Sequence, residues 1–440
     1  MADEMAQTPR AGSGSSASVP HSLAFHRDYV TRENVLNEIK QAFELRDPDY
    51  STKRSQAQGK LDDLGRKLGG TTTSQNPMYC ANQILLEATW LVHYGEAWDK
   101  ITQKLQQLES LIGQPDNAPL EQGADGSWGI CSENFFQKLD PTVDALQTKS
   151  VRQQALKPLL FLKSFNDPQV VLSNLYSLQI TDIAATGHNR RDELGSLIAS
   201  LSQLIFKDEI RSLLASQDLE FKVTDELEQV YRDFLRQTQH PRTGYWGPWY
   251  RFGDRLVMVQ DLSFTFHIVS YLGGTVDRWE ALIDTTLEIK NLRYPMGWRP
   301  REVRPNDRNN YNNHNNYDVV RILAYGWPHM RQDQRRRSRK AIEELLRWCL
   351  RHSVKGDGFG PADDSVDGYY YGIRFLDQVG VWDAGNRFWT DESSVLPASE
   401  SFHKLAVRLR RGFSRVQDVS AESETVGEIL DRALRLTAAG

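Results

Sequence analysis

A polar block in the second half of the chain contains the residue types that acid–base chemistry needs. It runs from Asn309 to Asp318 and holds six asparagines around one histidine, His314, with Tyr311 and Tyr317 in the same stretch. Asparagine is a poor filler of helix and strand interiors because its amide competes with the backbone for hydrogen bonds. Histidine exchanges protons near neutral pH. The block is therefore the first place to look for function.

Arginines precede this block and add fixed positive charge to it. The four are Arg299, Arg301, Arg304 and Arg308. A guanidinium offers paired hydrogen-bond donors, which is what a carboxylate or another anionic ligand group requires. A purely structural interpretation stays open, in which the asparagines cap a helix over 317–327 and His314 makes a structural hydrogen bond. His314 and Asp318 are four residues apart and could form an orienting pair on one helical face.

Aromatic residues are concentrated in the same half of the chain. Eight of the eleven tryptophans fall within 241–390, among them Trp246, Trp249 and Trp298. Flat rings beside polar amides are typical of a sugar cleft, so we predict that these three tryptophans contact substrate. The alternative is a seam of core aromatics between helices, since large rings often fill interiors.

Two further segments supply candidate substrate contacts. Asp261 and His267 lie on a predicted helix that starts near Gln260, where Asp261 could equally serve as a helix cap. Tyr370 and Arg374 are one turn apart on another predicted helix, an aromatic and arginine pair suited to an acidic sugar.

The spacing of apolar residues predicts an all-α fold. Apolar residues recur at three and four positions in about a dozen windows. Glycine–aromatic turns separate several of them, at 125–129, 243–247, 294–298 and 357–360. A helix pair that cannot bury its apolar face alone must stack on the next pair.

This repeat style resembles the α/α-toroid superfamily over roughly residues 75–390. That superfamily includes polysaccharide lyases, glycoside hydrolases and terpenoid cyclases. The resemblance implies a complete or incomplete double ring of helical hairpins with a cleft at one end. We expect a leader at 1–25, an N-terminal half of the ring at 26–240, a C-terminal half carrying the site at 241–395, and peripheral helices at 396–440.

The Asn312-Asn313-His314 triplet is similar to one in alginate-lyase-like toroids. The resemblance implies β-elimination next to a uronate carboxylate. Asn313 and Arg308 would then neutralise the carboxylate, His314 would remove the proton, and Tyr311 or Tyr317 would protonate the leaving oxygen. Arg299 and Arg304 would be further contacts for the acidic sugar. Amide, guanidinium and imidazole groups are chemically suited to these roles.

Three other functions remain open on the sequence alone. A glycoside hydrolase would pair Asp261 with Asp364 or Asp367 across the cleft. A terpenoid-cyclase-like enzyme would bind magnesium and a diphosphate through Asp363, Asp364 and Asp367, which match the spacing of a DDxxD motif. A toroid without catalytic activity would bind a glycan and release it unchanged.

Composition narrows the class of protein. The 440 residues carry a net charge of −5, which argues against a nucleic-acid partner. No stretch approaches the roughly 20 apolar residues of a membrane span, and residues 1–20 lack the apolar run of a secretory signal. Cys80, Cys131 and Cys349 are predicted to be buried free thiols. We therefore expect a cytoplasmic protein that acts on a carbohydrate and uses no cofactor or metal.

Overall fold

The structure is a computed structural model of the chain. It describes residues 32–71, 79–94, 98–114, 122–128, 131, 134–300, 311–360, 366–392, 399–417 and 420–438. The predicted leader at 1–25 lies outside these residues, as do Arg304, Arg308, Asp363 and Asp364.

Helices make up most of the described chain, about 70% by residue, which confirms the all-α prediction. The α-helices are α1 (Arg32–Arg46), α2 (Tyr50–Thr71), α3 (Tyr79–Tyr94), α4 (Trp98–Leu111), α5 (Phe135–Gln147), α6 (Lys149–Arg152), α7 (Pro168–Gln179), α8 (Ile183–Thr186), α9 (Arg191–Phe206), α10 (Asp208–Ser216), α11 (Asp225–Thr238), α12 (Leu262–Tyr271), α13 (Trp279–Glu288), α14 (Asn313–Gly326), α15 (Gln332–Trp348), α16 (Val366–Gln378), α17 (Ser399–Phe413) and α18 (Ala421–Ala438). Short 3₁₀ turns occupy Leu160–Asn166, Ile289–Asn291, Trp327–His329 and Ala384–Asn386, and a π turn occupies Cys349–Ser353.

Short strands lie between some of the helices. They are β1 (Ile180–Thr181), β2 (Trp249–Phe252), β3 (Arg255–Met258), β4 (Val354–Lys355) and β5 (Gly358–Phe359). β2 and β3 form an antiparallel hairpin, and β1 pairs with β2 in parallel. Gly253 takes a φ of 60° at the tip of the hairpin, where a residue without Cβ is favoured.

Side-chain caps fix where several helices begin. Asn134 caps α5, Thr224 caps α11, Asp261 caps α12 and Asn312 caps α14, each accepting a hydrogen bond from a backbone N–H of the first turn. Such caps satisfy donors that the helix itself leaves open, and each contributes about 1 kcal/mol. The sequence therefore sets the starting points of the helices that carry the candidate residues.

Six helices contact one another in a closed succession. α5 packs on α9, α9 on α12, α12 on α14, α14 on α16 and α16 on α18, and α18 returns to α5. Their apolar residues belong to one continuous buried cluster. The intervening helices pack against members of this succession: α7 and α10 against α9, α13 and α15 against α14, and α17 against α18.

α18 corrects the expectation that residues 396–440 are peripheral. Val426 and Leu430 are fully buried on its apolar face. That face completes the succession by packing between α16 and α5.

The N-terminal helices have their own apolar clusters. α2, α3 and α4 bury Leu64, Ile84 and Leu108 among other residues in a cluster separate from that of the six helices. Residues from α1, including Val35 and Phe43, join a third cluster with the β2–β3 hairpin. Only α5 and α9 of the region 26–240 belong to the closed succession.

Two of the three cysteines are paired. Cys80 on α3 and Cys131 form a disulfide, with their Cα atoms 5.3 Å apart, while Cys349 is a buried free thiol. The prediction of three free thiols is therefore wrong for Cys80 and Cys131. The two residues are 51 positions apart in the chain, so their proximity is a product of folding. Disulfides are rare in reducing compartments, so one ground for expecting a cytoplasmic protein is removed.

Within the residues described, no helix has both the length and the apolar character that crossing a bilayer would demand.

Candidate functional site

The asparagines at the start of α14 mostly hold structure together. The Asn312 side chain accepts from the Asn315 backbone N–H at 2.8 Å. Asn313 is fully buried, and its Nδ2 donates to Ser353 Oγ at 2.8 Å. Asn315 Nδ2 donates to the Trp298 carbonyl at 2.9 Å. Of these three asparagines, Asn312 caps the helix, which begins at Asn313 and not at 317 as predicted, whereas Asn313 and Asn315 bond to other segments of the chain.

His314 is partly open to solvent and partly enclosed by protein, and we refer to its surroundings as the depression. Its side chain keeps 34% of its surface exposed, yet desolvation lowers its pKa to about 4. An imidazole with the same exposed fraction on a convex surface would keep a pKa near 6.5. Partial exposure together with strong desolvation describes a group walled by protein on several sides and open on one.

Three side chains lie around the His314 ring. The Tyr371 ring from α16 stacks on the imidazole with centroids 3.9 Å apart and planes 7° from parallel. Asp318, one turn along α14, places Oδ2 3.7 Å from His314 Nε2. The Tyr294 ring approaches from the loop before α14 at 5.5 Å. The distance to Asp318 is longer than a hydrogen bond.

His314 and Asp318 are both stabilised in their neutral forms. Burial raises the pKa of Asp318 well above its ordinary value, and the negative charges of Asp367 and Asp261 raise it further. Desolvation lowers the pKa of His314, which favours the neutral imidazole. Neither Asp318 oxygen makes a hydrogen bond with any residue that the structure describes. The neutral imidazole therefore has a lone pair with which to accept a proton.

A tyrosine and arginine cluster adjoins His314. Tyr317 is buried, and its hydroxyl has no hydrogen-bond partner among the described residues. The Arg374 guanidinium lies 4.7 Å from the centre of the Tyr317 ring and 4.9 Å from that of Tyr370, and it donates to the Tyr370 hydroxyl. Burial raises the pKa values of Tyr317 and Tyr371. Both therefore remain phenols that can donate a proton.

His267 and Tyr271 from α12 continue the wall. Their rings are 5.5 Å apart and nearly parallel. Burial lowers the pKa of His267 to about 3, and the positive charges of His314, Arg191 and Lys207 add to that effect. His267 therefore lies within electrostatic reach of both His314 and Lys207.

The opposite wall comes from α5 and the end of α9. Asp144 is exposed, yet burial and the negative charge of Asp140 raise its pKa to about 7. Lys207 Nζ is bound by the side-chain oxygens of Gln147 and Gln203 and lies 5.2 Å from the Tyr271 ring centre. Burial lowers the pKa of Lys207 to about 8. Asp144 thus combines exposure to solvent with desolvation by the protein around it, as His314 does.

Asp261 has a structural task. Its two oxygens accept from Arg191 Nε and Nη2 at 2.8 Å each, and one also caps α12 by accepting from the Phe264 N–H at 3.0 Å. Asp261 is 1% exposed. The structure thus gives this carboxylate a full set of partners that link α9 to α12.

Several predicted substrate contacts are not brought to the depression. Trp246 and Trp298 are buried, and their indole N–H groups donate to the carbonyls of Leu235 and Thr286. Trp249 is buried in strand β2. Apolar residues surround these rings in the interior. The rings therefore have a packing role in place of the expected sugar-stacking role.

Tyr311 and Arg299 are also directed elsewhere. The Tyr311 hydroxyl donates to Glu344 on α15 at 2.7 Å, and Arg299 donates to Asn291 at 2.8 Å. Of the two tyrosines expected as the acid, only Tyr317 adjoins the His314 cluster. Arg308, Arg304 and Asp364 lie outside the described residues.

Sequence reasoning missed three residues near His314, namely Tyr271, Lys207 and Asp144, and it named Tyr371 only as one of three consecutive tyrosines before Arg374. Tyr371 had a usable signal, because it lies four residues after Asp367 and three before Arg374 on one helical face. Lys207 had none, since it sits between α9 and α10 and meets Tyr271 only through the packing of α9 on α12. The chain matches no protein-family model, no curated protein and no solved structure.

Proposed function

We propose that the closed succession of six helices is an α/α toroid and that its depression binds an acidic oligosaccharide and cleaves it by β-elimination. In this proposal His314 is the base, Tyr371 or Tyr317 is the acid, and Arg374 binds the carboxylate of the reacting uronate. The observation that carries it is the water-reachable, neutral imidazole of His314 stacked on a phenol beside a desolvated arginine.

The chemistry balances without a co-reactant. The imidazole takes the proton from the carbon next to the carboxylate, and the electrons of that C–H bond form a carbon–carbon double bond. The bond from the neighbouring carbon to the glycosidic oxygen breaks, and its electron pair leaves with the oxygen. A tyrosine hydroxyl supplies the proton to that oxygen. General acid–base groups of this kind contribute about 10²- to 10⁴-fold each.

Arg374 takes over the task first expected of Asn313 and Arg308. The Asn313 amide is fully buried and bonded to Ser353, so it faces the core. Arg374 is partly exposed and has aromatic faces on two sides. A guanidinium in such surroundings stabilises negative charge that develops on a carboxylate more strongly than it would in water.

A panel of uronate-containing oligosaccharides tests this function. Elimination creates a conjugated double bond, so ultraviolet absorbance should rise with time for at least one member, with one new reducing end per double bond. New reducing ends without absorbance would refute elimination. A full panel left intact would refute carbohydrate cleavage.

A glycoside hydrolase is the second candidate, and Asp318 favours it. A carboxyl group whose pKa is raised can act as a general acid, and the exposed Asp367 lies close enough to contribute to that rise. In this reading Asp318 protonates the leaving oxygen and Asp367 assists water or the sugar carbon. The two enzymes differ in the product: hydrolysis yields saturated sugars, and Asp318→Asn would abolish it.

The remaining alternatives have simple tests. A terpenoid-cyclase-like enzyme would turn over an isoprenoid diphosphate only with magnesium. A binding module would show affinity for a glycan and no product.

A further inference from the structure

We propose that Lys207 and Arg374 together form an anion-binding subsite around Tyr271, which selects ligands that carry anionic groups on successive units. The proposal rests on the proposed function for the identity of the ligand as a sugar chain, but the subsite itself can be tested without turnover. It names Lys207 as a residue that determines specificity.

Both cations lack a carboxylate partner within the described residues. No Asp or Glu oxygen there lies within 4.0 Å of Lys207 Nζ or of the Arg374 guanidinium, whereas Lys104, Arg211 and Arg432 each have a carboxylate within that distance. Lys207 is held by the neutral oxygens of Gln147 and Gln203, and Arg374 by the Tyr370 hydroxyl. Removing a charge from water without a counterion is costly, so an anion is the expected occupant.

The two cations act on the same tyrosine, Tyr271. The Tyr271 ring lies 5.2 Å from Lys207 Nζ, and the positive charge of Arg374 acts on both Tyr271 and Lys207. The nearby negative groups are Asp144 and Glu209, which act on Lys207 from beyond ion-pair distance. Asp144 is itself part-protonated near neutrality because its pKa is raised to about 7. Glu422 adds a further negative charge, which acts on Tyr370. Within the described residues, none of these three carboxylates lies within 4.0 Å of either cation.

Arg374, beside the His314 cluster, is one end of the subsite, and Lys207, beside Tyr271, is the other end. Tyr271 is one turn further along α12 than His267. The pKa of His267 is lowered by the charges of both His314 and Lys207. One turn advances about 5.4 Å along a helix axis. A ligand that places one carboxylate at Arg374 beside His314 would thus present the anionic group of an adjoining unit to Lys207.

Inorganic sulfate is the probe for this subsite. We would measure the melting temperature of the full chain with increasing sodium sulfate and with sodium chloride at equal ionic strength. Sulfate should raise the melting temperature of the wild type above the chloride curve, since a ligand that binds the native state stabilises it. The sulfate-specific increment should fall at least twofold in Lys207→Met and vanish in the Lys207→Met, Arg374→Met double variant. Lys222→Met, which removes an exposed lysine, should keep the full increment.

The ligand-free proteins give a second, independent readout. If Lys207 is there to bind a ligand, its positive charge is unpaired in the ligand-free protein and costs stability. Lys207→Met removes that cost, so its melting temperature should equal or exceed that of the wild type. A structural lysine would give a lower melting temperature. The proposal is refuted by a wild type without a sulfate-specific increment, by a double variant that retains it, or by destabilisation in Lys207→Met. Sulfate binding in a protein that eliminates nothing would refute the proposed function and leave the subsite standing.

Discussion

Two aromatic regions of this chain look alike in sequence and differ in how their polar ends are satisfied. In the first, Tyr245 donates to Thr286 at 2.9 Å, and the indoles of Trp246 and Trp298 donate to backbone carbonyls at 2.7 and 2.9 Å. In the second, the hydroxyl of the buried Tyr317 has no partner in the described chain. Tyr371 beside it is partly exposed and stacks on a histidine.

This difference separates packing from chemistry. A buried donor that is hydrogen-bonded to an acceptor adds to the stability of the fold. A hydroxyl that is left without a partner costs free energy, which a protein retains where a ligand can supply the missing bond. In these two regions the bonded rings pack in the core, and the Tyr317 hydroxyl lies beside the His314 cluster.

The sharpest test of the comparison is His314→Gln. If the second region is catalytic, this change should lower kcat by about 10²- to 10⁴-fold on whichever oligosaccharide the wild type cleaves, because the base is lost. Helical circular dichroism should be unchanged. His352→Gln, at an exposed histidine, is the matched control and should keep full activity. Activity retained in His314→Gln would move the chemistry elsewhere.

The first region should respond in the opposite way. Trp298→Ala empties a fully enclosed site, so the free energy of unfolding should fall by about 3–5 kcal/mol in denaturant titrations. Tyr371→Phe keeps the ring stacked on His314 and removes one hydroxyl, so it should reduce activity with little change in the unfolding midpoint. The comparison breaks if Tyr371→Phe unfolds the protein while Trp298→Ala affects only turnover.

Acid should destabilise the protein through the histidines of the depression. The pKa values of His267 and His314 are lowered to about 3 and about 4, whereas unfolded histidine titrates near 6.5. As pH falls from about 6.5 toward 4, the unfolded chain binds protons that the native protein does not, so the free energy of unfolding decreases. His267→Gln should flatten this pH dependence, and His352→Gln should leave it unchanged. An unaltered slope in His267→Gln would argue that His267 is not desolvated.

Asp318 should have a smaller effect on the pH dependence of stability than the two histidines, and the effect should have the opposite sign. Its raised pKa means that the native state holds a proton that the unfolded chain releases above about pH 3.9, so the ionisable carboxyl costs stability at neutral pH. Asp318→Asn should therefore raise the melting temperature at pH 7, and the gain should disappear below the unfolded pKa. Equal melting temperatures at pH 7 would show that Asp318 is ionised and paired.

The amount that the sequence could predict differs between these residues. His314, Tyr317 and Arg374 were identified from residue type and helical spacing, and the structure brings them and their neighbours to one depression. Trp246 and Trp298 were assigned to the cleft because composition cannot distinguish a core ring from a cleft ring. Asp261 was ambiguous between cap and cleft until Arg191, 70 residues away in the chain, was seen to bind both its oxygens.

The sequence by itself determined the helix periodicity, and it favoured capping as one interpretation of the asparagines at the start of α14. These depend on neighbours a few residues away, where hydrogen bonding and side-chain spacing act directly. Only the tertiary structure decided that α18 completes the helix succession, that Cys80 meets Cys131, and that the charge of Arg374 acts on Lys207. Those pairings join distant parts of the chain, and they arise from the burial of apolar faces, which constrains helices collectively and leaves no short-range signal.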